Sequence, residues 1–364
     1  MKRNKKRNYV GVLSSVFAIV IGLLVGLLVL LVCNPSQAFP GFFTILTGAL
    51  THGMKGVGQV FYYATPIILT GLSVGFAFKT GVFNIGTPGQ FLVGGFGAVY
   101  VGILWEKLGS TQWVAALIAS IILGAVWGLI PGILKAYFNV NVVISCIMMN
   151  YIGLYLVNWT VRSYKPLFNT LRNESKNVAA TAVIPKMGMD KLFPGSSVNG
   201  GIIIAILVVI LIYILLNKTT FGYELKAVGY SPDAGKYAGI NEKRNIIAAM
   251  VIAGAIAGLA GGLLYLAGTG KHIEVKDVLG SEGFTGISVA LLGLSHPIGV
   301  LFSGIFIAYL TAGGFYLQLF EFSTEIIDII VAVIIYFSAF ALIVKTMIGR
   351  MNEKKQKKEG GNEA

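Results

Sequence analysis

Continuous apolar runs of roughly 20 residues, separated by short polar breaks, follow one another from Val10 to Val344. Runs of that length cross a hydrocarbon core about 30 Å thick as helices, whereas the strands of a membrane barrel alternate in polarity. The pattern therefore predicts an all-α membrane protein. Its spans fall near residues 10–32, 60–78, 82–104, 113–134, 140–161, 201–216, 246–267, 280–294, 298–314 and 326–344, which makes about ten transmembrane helices.

Two polar breaks interrupt the runs: Phe83-Asn84-Ile85-Gly86-Thr87-Pro88-Gly89-Gln90 in the first half and Gly280-Ser281-Glu282-Gly283-Phe284-Thr285-Gly286 in the second. Helices broken in corresponding halves predict an inverted repeat around a central path. Asn84 and Gln90 beside Gly86 can line that path, because amides hydrogen-bond a solute without burying a charge, or can satisfy backbone freed by Pro88 and the glycines. Asn141, Ser145 and Asn150 cover overlapping faces of one span and serve either solute contact or interhelical hydrogen bonding. Glu282 is an acid in an apolar segment and is expected to face a cavity, the other placement being an outer rim shared with Lys276 and Asp277. Gly254, Gly258 and Gly262 form a smooth stripe for close helix packing.

Composition agrees with a lipid environment. The 364 residues are 55% hydrophobic and 12% charged, against about 25% charged in soluble domains, and the mean hydropathy is +0.79. The net charge of +13 is concentrated at the two ends and in one loop, a positive-inside pattern rather than a nucleic-acid surface. Residues 1–9 are then a basic cytoplasmic N-terminus, 10–346 a transmembrane domain, and 347–364 a basic cytoplasmic tail. The loop 217–245, with Lys218, Lys226, Lys236, Lys243 and Arg244, falls in the cytoplasm. The loop 162–199 faces out despite six positive residues, since long loops translocate largely regardless of charge. The basic start followed by an apolar run imitates a secretory signal, but the run exceeds the signal's 7 to 15 residues and is read as an uncleaved first span.

No enzyme chemistry is evident. His52, His272 and His296 are scattered, and no metalloprotease motif, nucleophile elbow or carboxylate cluster is present. Cys33 and Cys146 read as small packing residues. Gly268-Thr269-Gly270-Lys271-His272 lacks the leading Gly and closing Ser or Thr of a phosphate loop, so no metal and no nucleotide is assigned to the chain. The segment from Phe221 to Ile240 reads as two short helices around a turn: Gly229 stops the first, Ser231 caps the second, and Pro232 occupies its first position.

That segment resembles the coupling loop of permeases in the importer group for branched-chain amino acids, ribose and nucleosides. Lys226-Ala227-Val228-Gly229, Ala234, Tyr237 and Gly239-Ile240 match its "RAVG-N-AA-Y-GI" pattern, with Lys for the common Arg and Gly235 for a common Ala. Phe83-Asn84-Ile85-Gly86 and Gly89-Gln90 are similar to the "FNIG-EGQ" motif of the nucleoside and simple-sugar branch, with Pro88 at the usual acidic position. Asn141 to Ser145, Met149-Asn150-Tyr151 and the stretch from Gly283 to Gly293 continue the resemblance.

The resemblance implies a multi-pass subunit of the bacterial cell membrane with both termini in the cytoplasm. A partner ATP-binding-cassette ATPase would use ATP and Mg, a second, identical or homologous permease would complete the path, and an extracellular substrate-binding lipoprotein would deliver solute. Glu224, Lys226, Gly229, Asp233, Ala234, Tyr237, Gly239 and Ile240 are then the coupling surface. Asn84, Gly86, Gln90, Asn141, Ser145, Asn150, Glu282 and Phe284 are the substrate path. Nucleosides are the expected solute; a simple sugar is the other reading, and an ion-coupled secondary transporter would need Glu282 as its intramembrane acid.

Overall fold

The computed structural model describes residues 19–322 and, beyond them, residues 326, 329, 330, 332, 333, 336 and 337. The helices are α1 (Ile19–Cys33), α2 (Ala38–Thr51), α3 (Gly53–Lys79), α4 (Thr87–Leu104), α5 (Gln112–Phe138) and α6 (Val142–Ser163), then the single turn α7 (Met189–Leu192). They continue with α8 (Gly201–Lys218), α9 (Thr220–Tyr230), α10 (Pro232–Tyr237), α11 (Glu242–Tyr265), α12 (Ser281–Leu292) and α13 (Pro297–Phe315).

Among the described residues, seven helices are long and apolar enough to cross a membrane: α3, α4, α5, α6, α8, α11 and α13. The expected span 326–344 lies largely outside the described residues, as do residues 10–18 of the expected span 10–32, and the basic tail lies wholly outside them. The expected span 280–294 is corrected. Its helix, α12, has 12 residues, about 18 Å at 1.5 Å per residue, and cannot cross a membrane alone. Residues 294 and 295 then turn the chain with positive φ of 53° and 52° before α13. The helix α2, 14 residues long, lies on α13, where the Tyr309 hydroxyl donates to the Leu46 carbonyl.

Helix α3 is central, with 89% of its apolar window buried, while α5 shows 28% and α8 33%. Helices α4, α5 and α11 meet on the expected glycine stripe: Gly258 lies against both Gly94 and the Ser120 carbonyl, and Gly254 against Gly124. Backbones this close leave no room for side chains and maximise dispersion contact, which is what associates helices in lipid.

The connections follow local rules. Asn139 closes α5 in the left-handed region at φ 50°, and Asn141 caps α6 with its side chain accepting from the Val143 amide at 2.9 Å. The segment between α6 and α8 is ordered at one end of the bundle. Its hairpin pairs β1 (Phe168–Asn169) with β2 (Glu174–Ser175), and the Ser175 amide donates to the Ile273 carbonyl at 2.9 Å. At the opposite end, α9 and α10 form a compact knob. Ser231 accepts from the Ala234 amide at 3.3 Å and Pro232 takes the first helical position. Gly229 does not stop the first helix, which runs on to Tyr230.

Candidate substrate path and coupling surface

The loop between α3 and α4 is held by amide side chains. Asn84 is fully buried; its Nδ2 donates to Gln90 Oε1 at 2.9 Å, and its Oδ1 accepts from the Gly86 amide at 3.0 Å and from Gln90 Nε2 at 3.3 Å. Asn150 on α6 accepts from the Gly89 amide at 2.9 Å and donates to the Ile85 carbonyl at 3.0 Å. The broken backbone around Gly86 would otherwise leave polar groups unpaired in an apolar interior, and these amides satisfy them. Ser145 donates to the Val142 carbonyl of its own helix at 3.1 Å, and Asn141 is the exposed cap. These side chains fix the loop. Asn84, Gln90 and Asn150 thus make the bonds that loop support requires.

Glu282 and Phe284 do line a cavity, of about 460 Å³, with Tyr62, Tyr63, Lys271 and Ser288. Glu282 makes no hydrogen bond or ion pair among the described residues. Tyr62 and Tyr63 stand edge to face at 5.2 Å between centroids, and the Tyr62 hydroxyl shares a hydrogen bond with Thr269 Oγ1 at 2.8 Å. The cavity therefore offers aromatic faces, hydroxyls, one carboxylate and one ammonium, a lining suited to a solute with an apolar body and both donors and acceptors. Tyr62, Tyr63 and Lys271 were not legible as site residues, because a tyrosine pair inside an apolar run carries no directional signal. Glu282 is partly buried in this lining, while Lys276 is at the surface, paired with Glu274 at 2.8 Å, and that ammonium holds the Glu274 carboxyl below its ordinary value.

The two polar breaks touch. Gly283 packs on Pro88 so closely that a Cβ would stand 2.8 Å from the proline nitrogen. The loop held by Asn84 is thus in backbone contact with the helix that carries Glu282 and Phe284 into the cavity.

The knob presents Tyr223, Tyr230 and Tyr237 at 70%, 91% and 95% exposure, an aromatic display that isolated surface chemistry does not explain and that interfaces favour. Asp233, Ala234 and Gly239 are exposed beside them, while Ile240 packs partly buried near Val82 and Val228. Glu224 is half-buried and accepts from Asn245 Nδ2 at 3.2 Å, tying the knob to α11. Gly229 meets the loop itself: a Cβ there would stand 2.8 Å from the Gly81 amide nitrogen. Lys226 borders a second cavity with Lys79 and His296.

A helical membrane subunit with a buried broken loop, a solute-sized cavity and an aromatic knob is the class defined by this architecture. Residues 56–339 match the family described as branched-chain amino acid transport system / permease component, and the chain belongs to it. It is 36% identical to the guanosine ABC transporter permease protein NupP of Bacillus subtilis, over 93% of this chain and 96% of that protein. It is 34% identical to the nucleoside ABC transporter permease protein NupB of Lactococcus lactis, over 95% of this chain and 94% of that one. A more distant relative, the glucose ABC transporter permease protein TsgB13 of Haloferax volcanii, is 29% identical over 78% and 75% of the two chains. No solved structure matches the chain significantly.

Proposed function

We propose that the chain forms the translocation path of an ATP-binding-cassette importer for nucleosides in a bacterial cell membrane. The observation that carries this reading is the cavity walled by Tyr62, Tyr63 and Phe284 around the unpaired Glu282. Aromatic faces stack on a base, and a carboxylate accepts from ribose hydroxyls or base N–H groups. The names of two relatives similar along nearly the whole chain support the same solute class.

The chain spans the membrane ten times by this reading, as an inverted repeat. The stretch 266–280 together with α12 counts as one broken crossing, and both termini lie in the cytoplasm with the knob. Cytoplasmic ATPases bind the knob and hydrolyse ATP with Mg, a second permease completes the path, and an extracellular lipoprotein delivers solute to the 162–199 side. The chain itself binds no cofactor and no nucleic acid. Rocking of the helices between two states would open the cavity to each side in turn.

Sugar transport is the second reading, favoured by the glucose relative. The test is uptake of labelled guanosine into vesicles holding the complete importer. ATP-dependent uptake that excess guanosine abolishes and excess glucose leaves intact supports nucleosides; the reverse competition supports sugar. Uptake that persists without the ATPase and collapses with an uncoupler would overturn the importer reading itself.

A further inference from the structure

Between the end of α5 and the start of α11 runs an open groove of about 400 Å³, lined by Tyr137, Asn241, Lys243, Arg244, Ile247 and Val251. Lys243, Ile247 and Val251 follow one another at four-residue steps and share one face of α11. The groove therefore passes from two cations in the first turn to branched aliphatic side chains two turns on. The helices come close there: a Cβ built on Gly132 of α5 would stand 3.4 Å from the Ile247 Cα. The Lys243 ammonium lies 4.8 Å from the Tyr137 ring centroid, a cation–π contact that holds it beside the groove. The Arg244 amide donates to the Asn241 side chain at 3.0 Å, and that cap fixes the turn carrying both cations. No carboxylate is among these lining residues, and among the described residues neither Lys243 nor Arg244 joins an ion pair. The groove also lies where apolar chain gives way to polar. Helix α5 closes on Tyr137 and Phe138, 61% and 71% exposed, and α11 turns apolar only from Ile246. Exposed aromatic side chains closing an apolar helix mark the headgroup level of a bilayer.

We infer that this groove binds one anionic phospholipid, its phosphate on Lys243 and Arg244 and an acyl chain along Ile247 and Val251. A guanidinium holds two phosphate oxygens at once, an ammonium acts as a point charge, and the Tyr137 hydroxyl is a further donor. Basic pockets between helices commonly hold such headgroups. A free phosphate would gain nothing from the aliphatic half of the groove, whereas a phospholipid has the same order of charge, then hydrocarbon, over the same distance. The site lies at the root of the knob. Asn245, next to the two cations on α11, donates to Glu224 of α9 at 3.2 Å, so a bound lipid braces the helix turn to which the knob is tied.

The alternative is that both cations merely extend past apolar surface toward water. The experiment places the photocrosslinker p-benzoylphenylalanine at Val251 of the full chain and assembles it with its partner subunits in nanodiscs. The discs hold equal parts of phosphatidylglycerol and phosphatidylcholine with the same acyl chains, and mass spectrometry identifies the adduct after illumination. Phosphatidylglycerol is expected to exceed phosphatidylcholine in the adduct by about fivefold. The excess should disappear in Lys243→Gln/Arg244→Gln, which changes only exposed side chains, and persist in Lys243→Arg, which keeps both the charge and the contact with Tyr137. Because the crosslinker adds bulk, native mass spectrometry of complexes without it counts the phosphatidylglycerol retained by wild type and by the same two variants. Wild type and Lys243→Arg should each retain one more lipid per copy of this chain than the double Gln variant. Equal recovery of the two lipids, an excess that survives the double Gln variant or is lost in Lys243→Arg, or a peptide adduct from a partner subunit or from this chain's own tail overturns the inference.

Discussion

Gly229 of the knob and Gly81 of the loop after α3 meet backbone to backbone: a Cβ built on Gly81 would stand 2.8 Å from the Gly229 Cα. The relationship joins two sequence motifs that lie far apart in the chain. From Gly81 the same loop continues to Asn84, Gln90 and Pro88, and Pro88 lies on Gly283 beside the cavity. A push on the knob therefore has a continuous packed route to the helix bearing Glu282.

Gly229→Val tests that route. The new side chain meets the Lys79 carbonyl and the Gly81 amide, backbone atoms that cannot rotate away, so it must separate knob and loop at a cost of about 1–3 kcal/mol. The expected result is a chain that still assembles and supports ATP hydrolysis, with solute moved per ATP reduced about tenfold, equivalent to about 1.4 kcal/mol. Wild-type transport per ATP in this variant would show that the contact transmits nothing.

Asn84→Leu addresses loop support. It removes the acceptor for the Gly86 amide and both bonds to Gln90, and each buried group left unpaired costs about 1–3 kcal/mol. Thermal unfolding in detergent should fall clearly below wild type, and Asn150→Leu should behave alike. Ser145→Ala, which loses only a bond within its own helix turn, should shift the midpoint little. An Asn84→Leu protein as stable as wild type but unable to transport would instead make Asn84 a solute contact.

Much of this fold was legible because lipid imposes a single rule: continuous apolar runs become helices, and α3 to α6, α8, α11 and α13 follow it. The capping of α10 by Ser231 and Pro232 was equally readable, since both act on their own backbone. What failed were properties set by neighbours. The segment 280–294 is as apolar as a span, yet its helix α12 stops after 12 residues, too short to cross alone. Gly229 has the type of a helix stop, but it serves the Gly81 backbone instead. Asn84 has the same hydrogen-bonding capacity toward solute or loop, and only packing chooses between them. The side to which Glu282 points, and the Tyr62–Tyr63 wall opposite it, likewise depend on how α3 and α12 cross.

His296 provides a pH test. Burial, and then the Lys79 ammonium, hold its imidazole below the ordinary value of 6.5. As pH falls below 6.5, the unfolded chain takes up the proton before the folded one, so stability drops until the lower folded value is passed; above 6.5 both states are neutral and the term is flat. Wild type should therefore lose more thermal stability than His296→Gln between about pH 7 and about pH 5.5. Lys79→Gln, which relieves the second cause, should narrow that difference. Parallel melting curves for wild type and His296→Gln would refute the shift.

The last test separates two ways in which a glycine is required. At Gly258 on α11 a Cβ would overlap the Ser120 carbonyl and crowd Gly124 on α5, all backbone, with Gly94 of α4 packed on the same residue. Relief needs three helices to move apart, and dispersion lost along their seam has no hydrophobic replacement in lipid. At Gly270, φ is +74° but nothing lies within 4 Å of the added atom, so alanine costs only the left-handed strain of about 1–2 kcal/mol. Gly258→Val should abolish recovery of monodisperse protein, whereas Gly270→Ala should be recovered with a modestly lowered melting temperature. Full recovery of Gly258→Val by size-exclusion chromatography, at wild-type stability, would mean that the glycine seam of α4, α5 and α11 does not hold the bundle together.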